Sequence, residues 1–116
     1  MPRLMSVALT EQAVIERRKT VTRRLGWKMI KPGDQLQLVR KAMGRKCADG
    51  SVEPLVRLAL VEVVSARREH LDNITDSDVV LEGFPDWIGY EFVDFFVAHV
   101  KCRRDEPVTR IEWRYL

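Results

Sequence analysis

Apolar and polar positions along this chain alternate with periods that define its elements. Residues 4–9 are mostly apolar and predict a short first strand. Thr10 follows as a helix N-cap, and Leu9 and Val14 have the spacing of a hydrophobic staple. Ala13, Val14 and Arg17 fall on neighbouring turns of a helix over residues 11–18. Lys31-Pro32-Gly33-Asp34 is a turn signal, because Pro fixes one φ and Gly tolerates φ above zero. Residues 35–41 then alternate, with Leu36 and Leu38 on one face and Gln35 and Gln37 on the other, as in a half-buried strand. Residues 42–54, with two glycines, a proline and four charges, read as a surface hairpin excursion. Residues 55–65 carry apolar side chains on both alternating faces, which fits a strand buried on both sides or curved around a small barrel.

The second half is more helical. Thr75 caps a helix whose first turn holds Asp76 and Asp78, and Gly83 ends it after Glu82. Asp86 is the cap of a further helix. Trp87, Ile88, Phe92, Phe95 and Phe96 form its wide apolar face, which reads as core. In residues 108–115, Thr109, Ile111, Trp113 and Tyr115 point one way and Arg110, Glu112 and Arg114 the other. The order β-α-β-β-α-α-β lacks the regular crossover helices of a doubly wound sheet. It predicts an α+β fold, a small and mainly antiparallel barrel flanked by two or three helices.

Composition narrows the class. With 116 residues, 46% hydrophobic and 32% charged, the chain reads as one globular domain over residues 1–116. No apolar run approaches the ~20 residues of a membrane span. The first residues lack the apolar region of a signal peptide, so a cytoplasmic location without membrane contact is expected. Cys47 and Cys102 have no metal-ligand spacing, and only His70 and His99 accompany them. No metal or cofactor is therefore expected. The net charge of +3 is small, and its clustering matters more. In residues 17–24, Arg-Arg-Lys-Thr-Val-Thr-Arg-Arg, five of eight residues are cationic and none is acidic. Arg67-Arg68 and Lys101 with Arg103-Arg104 read as solvated faces.

The dense stretch suits an anion or nucleotide, or a nucleophile. A threonine hydroxyl needs a base or a stabilised alkoxide before it attacks. Arg17, Arg18, Arg23 and Arg24 flank Lys19, and like charge favours its neutral, basic form. On an extended backbone Lys19 and Thr22 face opposite ways, so a turn must bring them together, and Thr20 competes as nucleophile. Each residue also has a plainer reading. Lys19 is then a phosphate-binding point charge, Thr22 a strand threonine, and Glu82 a helix-end residue paired with an arginine.

Four pieces together resemble the ASCH domain of the PUA-like superfamily. They are residues 19–24, the Lys31-Pro32-Gly33-Asp34 turn, Ile74-Thr75-Asp76-Ser77-Asp78 leading to Glu82-Gly83-Phe84, and the closing Arg110-Ile111-Glu112-Trp113. The wording is similar to that of small bacterial or phage members. The family signature, Gly-x-Lys-x-x-Glu-x-Arg, is matched by Lys19 and Arg24; Arg17 stands where Gly is usual and Thr22 where Glu is usual. The resemblance implies a compact PUA-like barrel with a helix beside a cleft. In the N4-acetylcytidine amidohydrolases of this family the corresponding threonine is the nucleophile. It would make Thr22 the nucleophile, Lys19 its activator and Glu82 the assisting carboxylate. Thr20, Arg23, Arg24 and Trp27 would contact the substrate, with Trp27 as the stacking residue and Trp87 mostly core. The expected partner is a nucleoside or RNA ligand. A second class stays open: a module that binds RNA or a modified nucleotide, with or without ribonuclease activity that reuses Lys19 and Arg24 at a phosphate.

Overall fold

The computed structural model describes residues 2–41 and 54–116. The hairpin expected over residues 42–54 and Cys47 therefore lie outside the described residues, apart from Pro54. Among the described residues, five strands form one sheet: β1 (Arg3–Ser6), β2 (Val21–Arg24), β3 (Gln35–Val39), β4 (Arg57–His70) and β5 (Pro107–Tyr115). Their order across the sheet is β1-β3-β4-β5-β2, parallel between β1 and β3 and antiparallel elsewhere. The sheet curls into a half-barrel, and α1 (Glu11–Ile15), α2 (Asp76–Glu82) and α3 (Gly89–Val100) flank it.

One position in β4 explains much of the curl. Val63 pairs with Trp113 and Ser65 with Glu112, so Val64 is an extra, unpaired residue whose side chain is exposed. Such a bulge bends its strand and raises the local twist. It moves the inward face from Val61 and Val63 before the bulge to Ala66 after it.

Two hydrophobic clusters result. The first joins Met5, Val7, Val14, Leu36, Leu38, Val61, Val63, Ile111 and Trp113. The second joins Leu71, Ile74, Val79, Phe92, Val93, Phe96 and Val108 beneath α2 and α3.

Several local expectations change at element ends. β1 stops at Ser6, and residues 8–10 form a 3-10 turn instead of extending the strand. Leu9 is 63% exposed, so no staple forms, and the Thr10 side chain makes no cap bond. α3 starts at Gly89, not after an Asp86 cap. Carboxylates hold its first turn, because Ile88 N–H donates to Glu91 Oε1 at 3.1 Å and Gly89 N–H donates to Asp76 Oδ1 at 2.7 Å. Thr75 does cap α2, accepting from Asp78 N–H at 3.2 Å.

The helix expected over residues 11–18 is only Glu11–Ile15, and its ending positions the site. Arg17 N–H donates to Val14 O at 2.9 Å and Arg18 N–H to Ala13 O at 2.8 Å. These are the two bonds of a Schellman cap, with Arg17 in the left-handed position at φ 60°. Glycine is the residue that adopts this conformation without cost, which gives a physical reason for the usual Gly at this place in the signature. α2 ends the same way, with Gly83 at φ 109°, Gly83 N–H on Val80 O and Phe84 N–H on Val79 O. A Cβ on Gly83 would stand 3.1 Å from Ala13 Cβ, so the two helix ends touch back to back.

A non-glycine residue in the left-handed region costs ~1–2 kcal/mol, and Arg17 recovers part of this by lying 5.3 Å from the Tyr115 ring centroid. Arg17→Ala loses the ring contact and keeps the strain, whereas Arg17→Gly loses both. Denaturant unfolding should show Arg17→Gly more stable than Arg17→Ala by about 1 kcal/mol. Equal stability would mean that the turn is not strained.

Candidate functional site

The last carbonyls of any helix lack intrahelical donors. In α2 the chain just before β2 supplies them. Thr20 N–H donates to Leu81 O at 3.0 Å, and the Lys19 ammonium donates to Glu82 O at 2.7 Å and to Glu82 Oε1 at 3.1 Å. A cation at a helix C-terminus is also favoured by the helix dipole. The other end of the Lys19 residue is tied to the closing strand: its carbonyl accepts from Trp113 Nε1 at 3.0 Å and from the Tyr115 hydroxyl. The side chains of Lys19 and Glu82 are each only 3% exposed.

Burial pushes the Lys19 ammonium below the ordinary lysine range. Glu82 opposes that shift, while the like charges of Arg24 and Arg23 add to it. Charging Lys19 is thus less costly than it would be alone, yet costlier than in water.

Along β2, side chains alternate between faces. Val21 and Arg23 share one face. Arg23 reaches across to α2, donating through Nη1 to Glu82 Oε2 at 3.0 Å and through Nη2 to Asp78 Oδ2 at 2.6 Å. A longer contact of 3.5 Å joins it to Glu69. Arg110 of β5 grips the same Asp78 with two bonds, at 2.7 and 3.2 Å. These bonds, led by the one from Arg110, hold the Asp78 carboxyl at about 2 although burial opposes them. The opposite face of β2 carries Thr22 and Arg24. Arg24 donates from Nε to Thr22 Oγ1 at 3.1 Å and from Nη2 to Ser6 O at 2.7 Å.

A cavity of about 480 Å³ lies between the two hydrophobic clusters. Lys19, Thr22, Arg23, Arg24, Trp27 and Glu82 all line it. Its deep end is ionic and hydroxylic, since Lys19, Thr22 and Glu82 are buried. Its outer wall is apolar, built from Leu9, Phe84, Phe95 and Val100, with His99 beside them. Trp27 stands at the first cluster's edge in a left-handed conformation (φ 51°), and Arg3 covers its ring at 4.6 Å.

The structure thus brings together six of the seven residues singled out in the sequence. Thr20 is the exception. It is absent from the cavity lining, and its backbone bonds Leu81 and Trp113. Arg23, expected to contact the substrate, lines the cavity, with its side chain buried and held by carboxylates. Two features escape a reading of the sequence. Phe92, Phe95 and Phe96 have the spacing of core, but they also form cavity wall, which helical spacing alone cannot separate from core. Asp78 has the place of a first-turn acid. Its spacing of four from Glu82 puts both carboxylates on one helix face, and that signal is present in the sequence.

No protein-family model matches the sequence, and no curated protein does. The likeness is to solved structures. Protein EF3133 from Enterococcus faecalis V583, of the family model DUF984, superposes with a TM-score of 0.69 at 18% identity, over 100% of this chain and 80% of that one. The ASCH domain from Lactobacillus crispatus JV V101 gives 0.62 at 13% identity, over 92% and 70%. ASCH from Zymomonas mobilis gives 0.58 at 14%, over 96% and 65%. At these identities the likeness shows the fold alone, an ASCH-type fold.

The Asp78 pair has a consequence for acid stability. Its folded value of about 2 lies below the ordinary 3.8, so the stabilisation is complete above that ordinary value and is lost as pH falls through about 2. Between about pH 5 and about pH 2, wild type should lose roughly 2 kcal/mol more stability than Asp78→Asn. Parallel acid limbs in chemical denaturation would refute the assignment.

Proposed function

We propose that the chain is an amidohydrolase acting on N4-acetylcytidine or a related acylated nucleoside, with Thr22 as nucleophile and Lys19 as its activator. The observation that carries this reading is the hydrogen bonding of Lys19 in the cavity that Thr22 also lines. An ammonium has three donors. Lys19 directs two of them to Glu82, and the third has no partner among the described residues. Removing that third proton leaves both bonds intact and a lone pair available. Burial already favours the loss. Thr22 is prepared from its other side, because an Arg24 donor on Oγ1 stabilises a developing alkoxide.

In the proposed reaction Thr22 Oγ bonds to the acyl carbon as its proton passes to neutral Lys19. The resulting ammonium, steadied by Glu82, gives that proton to the exocyclic nitrogen as the C–N bond breaks. Cytidine leaves, and an acyl ester remains on Thr22. Water then hydrolyses the ester by the same proton route, releasing acetate and restoring the threonine.

The cavity suits such a ligand. Its volume of about 480 Å³ falls within the ~300–1,000 Å³ of small-molecule pockets. Its aromatic wall offers a surface for a base, while the buried polar end offers groups for an amide. Its cations are already engaged: Lys19 and Arg23 with carboxylates, Arg24 with Ser6 O and Thr22. Among the residues described there, Arg24 remains a cation with no acid bonded to it, a single charge to set against a phosphate chain. That favours a free nucleoside over an RNA strand, and over a ribonuclease that uses Lys19 and Arg24.

Loss of the acetyl group changes the ultraviolet spectrum of the cytosine ring, which provides the assay. Wild type should turn over N4-acetylcytidine. Lys19→Ala should lose on the order of a hundredfold or more, the scale of general base catalysis. Thr22→Ala should fall to background while unfolding like wild type. Wild-type turnover no greater than that of Lys19→Ala would sink the proposal.

The binding alternative has its own measurement. Affinity for a short single-stranded RNA should be weak and change little with salt. Tight binding that falls steeply with salt would favour the RNA-binding module instead.

A further inference from the structure

Glu82 faces two cations with one carboxylate. Lys19 holds Oε1 at 3.1 Å and Arg23 holds Oε2 at 3.0 Å. A buried carboxylate stripped of its only counter-ion is strongly destabilised. With Lys19 as its sole partner, Glu82 would oppose any loss of the lysine proton. Arg23 removes that obstacle, because an arginine does not deprotonate in a protein.

We propose that Arg23 is a positioning residue that supplies Glu82 with a permanent counter-ion, so that Lys19 can release its proton while Glu82 stays paired. This rests on the reading of Lys19 as a base and says what makes the base available. The proton leaves Lys19 Nζ for solvent through the cavity. The neutral amine keeps two N–H donors for Glu82 O and Oε1, and its lone pair turns to the substrate side.

The surrounding charges agree. Glu82 from α2 and Arg23 and Arg24 from β2 act on Lys19 directly. Behind them Arg23 links to Asp78 of α2 and to Glu69 of β4 with its partner Arg67, and Asp78 links on to Arg110 of β5 with Glu112. The Tyr115 hydroxyl meets the Lys19 carbonyl, Arg17 lies over the Tyr115 ring, and His99 lines the cavity from α3. Within the network, counted with Lys19 and without Arg17, five cations stand against four carboxylates. One proton lost from Lys19 brings the cluster to balance. Arg23 itself is held in place, since its side chain is 1% exposed and Asp78, gripped in turn by Arg110, anchors its Nη2.

The test needs no substrate. The Lys19 side-chain carbon signal can be followed against pH by nuclear magnetic resonance, with Lys19→Ala identifying the resonance. Wild-type Lys19 should titrate below an ordinary lysine. In Arg23→Gln the proton affinity of Lys19 should rise at least tenfold, about one pH unit. Arg23→Lys, which keeps a cation, should recover most of the wild-type value. An Arg23→Gln value equal to or below wild type would overturn the proposal. If Arg23→Gln does not fold, Asp78→Asn decides the matter. It frees Arg23 for Glu82 and removes a nearby negative charge, so Lys19 should titrate lower, and an unchanged or higher value would overturn the proposal. Absence of turnover would sink the amidohydrolase reading without touching this titration. Where turnover is present, Arg23→Gln should move the acidic limb of the pH–rate profile, where neutral Lys19 is lost, to higher pH by the same amount, whereas damage to the fold alone would lower the rate at every pH.

Discussion

The contact between Lys19 and the last turn of α2 is the constraint on which the rest of the structure depends. Helix ends carry unmet carbonyls, and a lysine carries more donors than one partner can fill. Joining the two satisfies both within a buried space. The contact also sets the path of the chain. Lys19 and Thr20 are held against α2 by Leu81 and Glu82, so the next four residues leave as β2 and pair with β5. That pairing places Thr22 opposite Ile111 and Arg23 opposite Arg110. The ion network, the cavity and the sheet edge therefore share one origin.

Two glycine-type turns make the contact possible. The Schellman cap at Arg17 reverses the chain after α1, and the cap at Gly83 ends α2 with its backbone against Ala13. Only one of these positions carries the residue that suits its φ. The strain at Arg17 is tolerated because Lys19, two residues on, is over-determined by Glu82, Trp113 and Tyr115. Strain of this kind persists where the neighbourhood leaves no alternative.

How much of this is legible in the sequence follows from the same physics. Patterns within one element are readable: the alternation in β3 and β5, the Thr75 cap and the Gly83 stop. So is the grouping of Lys19, Thr22 and Glu82, although it comes from a resemblance and not from spacing. Ends of elements are less legible. The helix at residue 11 stops at Ile15 because the backbone turns left-handed at Arg17, and an arginine gives no signal for that. The partners of Arg23 are hidden for another reason. An ion pair across 55 or 59 positions is a tertiary fact, and charge runs read from sequence look solvated until a carboxylate is seen beside them.

The cationic stretch over residues 17–24 shows how different its five charges are once folded. Arg17 lies over Tyr115 and Arg18 pairs with Glu16 at the surface. Arg24 braces Thr22 and Ser6, Arg23 holds Glu82 and Asp78, and Lys19 is the one lysine of the run, its ammonium pushed below the ordinary lysine range by burial. A run of like charge would ordinarily repel itself and bind whatever anion approached. Here buried acids from α2 divide the run, leaving four fixed cations around one adjustable group. That division turns a generic basic patch into the setting that the proposed reaction requires, a buried lysine whose surroundings favour loss of its proton in a cavity that a threonine also lines.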